Sequence, residues 1–82
     1  MQNAVIAYTQ HIAEQYLHAF GLDSETWDTV GMVESPPTGR RYDNVVMIRP
    51  HWNMTAEIVV HFEQMAQYWR TACRAGGKIS ML

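Results

Sequence analysis

His11, Glu14 and His18 recur at intervals of three and four, the spacing that stacks side chains on one helix face and that helical metal ligands use. At a rise of 1.5 Å per residue, His11 and His18 stand about 10 Å apart along such a helix, too far to share one ion. Only Glu14 with His18 is close enough to act as a pair, and further ligands would have to come from His51 or His61. A solvated face with an i,i+4 contact is the stronger reading, so no metal and no cofactor is assigned.

Arg40 and Arg41 follow the turn-forming run Ser35, Pro36, Pro37, Thr38 and Gly39, an exposed place for guanidinium groups to meet phosphate or carboxylate. A nucleic-acid reader would carry more cations, usually interleaved with aromatics, whereas this chain has a formal net charge of −2. Gly76, Gly77, Lys78, Ile79 and Ser80 echo the end of a phosphate-binding loop, but its upstream glycine, preceding strand and following helix are missing. Asn53, Met54 and Thr55 match a glycosylation sequon and are read here as a helix cap. Cys73 is the single cysteine; on a core stripe it is a small buried hydrophobe rather than a nucleophile. No motif therefore supports an enzyme.

Eighty-two residues with 48% apolar side chains suffice for one domain, residues 1–82, with one modest core. One cysteine excludes an internal disulfide framework and suits a reducing compartment. The first twenty residues carry no Lys or Arg and are broken by Gln10, His11, Glu14 and Gln15, unlike a signal peptide, and no stretch approaches a membrane span. A cytoplasmic protein without a membrane partner is expected. Charge is segregated along the chain. Residues 1–39 hold five carboxylates and no Lys or Arg, whereas residues 40–82 hold six cations against Asp43, Glu57 and Glu63. Mutual neutralisation on folding is expected in preference to opposed surface fields.

The elements that must position these groups read as an α+β fold of helix, β-hairpin and helix (αββα). On a helical wheel Asn3 to Phe20 gathers Val5, Ile12, Tyr16, Ala19 and Phe20 on one arc, and Gly21 with Leu22 supplies a Schellman ending. A second helix starts after Pro50, capped by Asn53 or Thr55, and runs to about Ala75 on a stripe of Ile58, Phe62, Met65, Ala66, Trp69 and Cys73. Thr26 to Glu34 and Tyr42 to Arg49 read as paired strands, with Ile79 to Leu82 able to add a short third strand. Val46 and Ile48 alternate with Val45 and Met47, so both faces of the second strand are apolar and two covers are needed. The helices must lie on opposite faces, or a partner completes the fold.

That two-faced hairpin, an unpaired sheet edge and the segregated charge point to a small non-enzymatic protein-interaction module. Small motif-free chains of this kind include regulators and inhibitors, among them phage- or mobile-element-encoded proteins directed at host systems such as CRISPR. Trp52, outside either helical stripe, is the natural aromatic anchor. Val60 stands alone on the polar face of the second helix, and Val46 and Met47 are candidate contacts of a homodimer. The competing expectations are a nucleic-acid-binding regulator using Arg40, Arg41, Arg70 and Arg74, and a metal-dependent or interface-built enzyme.

Overall fold

The computed structural model of the chain describes residues 2–34, 41–49 and 55–82. Its first element is not a helix. Asn3–Ala7 is a strand, β1, in which Ala4, Val5, Ile6 and Ala7 are all fully buried. A strand covered on both faces shows no alternation of apolar and polar residues, which is why this run blended into the helical arc behind it. Thr9 separates the two: its backbone is extended, and its Oγ1 accepts the Ile12 N–H at 3.3 Å as the N-cap of α1, Gln10–Ala19. The helix ends as anticipated, with Gly21 at φ 65° and Leu22 N–H donating to the Leu17 carbonyl.

Two further strands follow, β2 (Trp27–Gly31) and β3 (Tyr42–Met47), then α2 (Ala56–Trp69), capped by the Thr55 hydroxyl. A single 3₁₀ turn over Arg70–Ala72 leads into β4, Cys73–Met81. The helix to Ala75 is thus cut short at Trp69. Cys73, at φ −86° and ψ 129°, already belongs to the strand that the sequence placed only at Ile79 to Leu82.

The sheet order is β2-β1-β3-β4 and every pairing is parallel. This overturns the αββα hairpin: β2 and β3 do not touch as neighbours, because β1 lies between them. Asn3 aligns with Trp27 on one side and with Asn44 on the other. Both apolar edges that a hairpin would have joined are instead satisfied by the N-terminal strand, a pairing between residues distant in sequence. The connection from β1 to β2 steps one way along the sheet, and that from β3 to β4 steps the other. Crossovers of one hand that step in opposite directions must pass on opposite faces, and they do.

Val5, Ala7 and Ile48 pack with Ala13 and Leu17 of α1, whereas Ala4, Ile6, Val45 and Met47 pack with Phe62, Ala66 and Trp69 of α2. Both faces of the sheet thus have a cover within the chain. Among the described residues the one buried polar side chain, Asn3, is satisfied: its amide donates to the Thr26 carbonyl at 3.3 Å and its carbonyl accepts from Asn44 Nδ2 at 2.8 Å. Among the described residues no helix is long and apolar enough to cross a membrane.

Candidate functional site

Parallel sheets of this order have a switch point where connections leave neighbouring strands in opposite directions, and ligands commonly bind in the crevice outside the carboxyl ends there. In this chain the switch point lies between β1 and β3. The α1 N-terminus at that crevice is already occupied from within: Glu34 Oε2 accepts the Gln10 backbone N–H at 2.7 Å. Gly31 makes this approach feasible, since a Cβ there would overlap both the Gln10 nitrogen and Glu34 Oε2. Beside it, the Tyr8 hydroxyl and His61 Nδ1 lie 3.1 Å apart with their rings edge to face. The amide that a bound phosphate would need is thus held by an internal carboxylate.

The two sheet edges are different. Among the described residues no strand pairs with the outer side of β2 or of β4. Met32 N–H donates to the Ala7 carbonyl, so alternation turns the amides of Asp28 and Val30 toward β1 and that of Thr29 outward, while the Trp27 N–H donates to the Asp23 carbonyl and Gly31 is buried. Alongside this edge runs an open groove of about 560 Å³, walled by Gln10, Glu14, Leu17 and His18 of α1 and by Trp27 to Val30 of β2. The hydroxyl of Tyr42 reaches across from β3 and donates to Asp28 Oδ2 at 3.1 Å.

At the opposite edge, Leu82 N–H donates to the Met47 carbonyl, which turns the amides of Ile79 and Met81 outward. A second groove, of about 450 Å³, lies at the start of β4 between Asp43, Asn44, Arg74 and the Gly76, Gly77, Lys78 segment. Asp43 is tied there on two sides. The Gln2 backbone N–H donates to it at 2.9 Å and the Arg74 guanidinium at 3.0 Å, and together they hold its carboxyl below the usual carboxylate range.

The segregated charge follows the strand order. Glu14, Asp23, Glu25 and Asp28 lie on or beside the β2 end of the sheet, while Arg70, Arg74 and Lys78 lie at the β4 end. The Arg74–Asp43 ion pair joins two residues of the second half.

The sequence-derived site residues scatter over this framework. Met47 is fully buried in the α2 core and cannot present itself to a partner, so its assignment to an interface is corrected. Val46 is half-buried against the α1 core, and Arg41 is exposed just before β3. Val60 is 53% exposed on α2 and Tyr68, two turns further on, 69%. Trp52 and Arg40 lie outside the described residues, as does His51. His11 contacts Gln15 at 3.1 Å, and among the described residues no three His, Cys, Asp or Glu side chains are grouped to hold a metal ion. Glu14 and His18 do line one groove, but with β2 rather than with another histidine.

Comparison with known proteins adds no relative: no family model, no curated protein and no solved structure matches the chain.

Proposed function

We propose that this chain is a non-enzymatic protein-interaction module that takes an extended segment of a partner onto an open edge of its parallel sheet. The observation that carries the reading is the outer edge of β2, which no described strand pairs and where the Thr29 amide points outward beside a groove against α1. Unpaired strand edges are templates for another strand, and main-chain hydrogen bonds supply affinity when one is added. The switch-point crevice competes poorly as a ligand site because Glu34 already holds the α1 amide. A nucleic-acid reading competes poorly as well, since Arg74 is engaged by Asp43 and the β2 end is acidic. Such a module acts as a regulator or inhibitor in the cytoplasm, where a lone cysteine stays reduced.

The test compares edge prolines. Thr29→Pro and Ile79→Pro each remove an outward amide and leave the ladder to the neighbouring strand intact. A partner recovered by the unaltered chain should be lost with one of the two and kept with Val60→Ala. A partner that binds both proline variants as well as the parent overturns strand addition.

A further inference from the structure

We infer that the occupant of the β2 groove is an extended cationic segment of the partner, laid down as a fifth strand; this rests on the strand-addition reading above. Five residues of β2 span about 17 Å, so a segment of about five residues centred on Thr29 matches the edge. Its main chain would meet the outward Thr29 amide at the centre of the edge, flanked by the Trp27 N–H, which donates to the Asp23 carbonyl, and by Gly31, which is buried under Gln10 and Glu34.

Side chains of an added strand alternate between the two faces of the sheet. Those on the α1 side enter the groove walled by Glu14, His18 and Trp27, and those on the other side lie over Val30 and Asp28. Glu14 is solvent-exposed on α1, and Asp23 and Glu25 stand in the turn that leads into β2. Glu14 is the carboxylate that α1 contributes to the groove lining, and no Lys or Arg is among the lining residues. Lysine or arginine at alternate positions, with apolar residues between, complements both the charge and the Val30 surface. A phosphate backbone would be repelled.

Fluorescence anisotropy with the full chain tests this. The probes are two blocked peptides of equal length, one alternating lysine with valine and the other glutamate with valine. The lysine peptide should bind at least about tenfold more tightly, and its binding should weaken as salt rises. Glu14→Gln should weaken it about threefold, and Thr29→Pro at least tenfold, with the thermal melt of each variant monitored to show that it is folded.

Equal binding of the two peptides, lost for both in Thr29→Pro, overturns the cationic occupant and leaves strand addition at β2 standing. Binding that ignores Thr29→Pro but fails in Ile79→Pro overturns the β2 site and leaves the general reading standing on β4. Binding that ignores both prolines overturns both readings. Light scattering that shows concentration-dependent oligomers abolished by Thr29→Pro, with neither peptide bound, makes the basic β4 edge of a second copy the occupant and overturns the inference.

Discussion

The Glu34 carboxylate caps the first helix from outside it, its Oε2 accepting the Gln10 N–H at 2.7 Å. No acidic residue lies in the first turn of α1 itself, so Glu34 supplies from beyond β2 the negative charge that a helix N-terminus favours. It also ties the end of β2 to the start of α1. Glu34→Ala should destabilise the chain by about 0.5–1 kcal/mol, a small amount because the carboxylate is solvent-exposed. Urea unfolding at low and high salt checks it: the loss should shrink as salt rises.

Gly31 is the more sensitive partner in the same contact. A Cβ at this position meets the backbone nitrogen of Gln10 and, at 2.9 Å, the carbonyl carbon of Thr9, neither of which can swing away. Gly31→Ala should therefore cost about 2–4 kcal/mol. Adding Glu34→Ala should recover only a small part, since the backbone overlap remains. Full recovery in the double variant would mean that the side chain alone sets the constraint.

Local signals were legible where local physics decides. Gly21 and Leu22 terminate α1 with the bonds their types imply, Thr55 caps α2, and Phe62, Ala66 and Trp69 bury the stripe their spacing defines. What failed was pairing. Nothing near Thr26 to Glu34 or Tyr42 to Arg49 records that Asn3–Ala7 inserts between them, and a turn-rich connector is as compatible with a crossover as with a hairpin. Val5 and Ile6 belong to a strand buried on both sides, which a helical wheel absorbs without contradiction. The candidate site suffered for the same reason: the β2 edge exists only once β1 has taken the other side of that strand. Glu14 and His18 were picked out for their spacing, but what brings them to a groove is the strand opposite.

The phase of the β2 ladder separates two adjacent positions. Val30 directs its amide toward β1, whereas Thr29 directs its own outward. Val30→Pro removes a ladder bond and should cost about 3 kcal/mol or more; Thr29→Pro should cost less than about 1 kcal/mol. Chemical denaturation of the two variants measures the difference. Equal losses would place the ladder in the other phase and remove the edge assignment.

Asp43 makes stability depend on pH in a defined direction. Its folded-state pKa lies below the ordinary carboxylate value, first because of the Gln2 amide and then because of Arg74. Below the unfolded pKa the unfolded chain binds the proton more readily, so this stabilisation is present above the ordinary carboxylate range and is lost as pH falls through the folded pKa. Asp43→Asn removes it. Melting temperatures measured between about pH 7 and pH 2 should show the parent above Asp43→Asn at neutral pH, with the gap closing in acid. A gap that stays constant with pH would detach the effect from ionisation.

Met47 and Val46 are neighbours in sequence on opposite faces of β3, and that difference separates core from surface. Met47 has no solvent exposure and packs in the α2 core, next to Ile6 across the β1 pairing. An aspartate there would bury a carboxylate without a partner, at a cost of about 4 kcal/mol or more, comparable to the whole stability of a domain this small. Met47→Asp should therefore be unfolded by circular dichroism at any concentration. Val46 is half-buried at the margin of the α1 core, so Val46→Asp should fold with a loss of about 1–2 kcal/mol. If Met47→Asp instead folds and merely changes its mass in light scattering, the side chain lies at an interface and the packing of α2 against β3 is wrong.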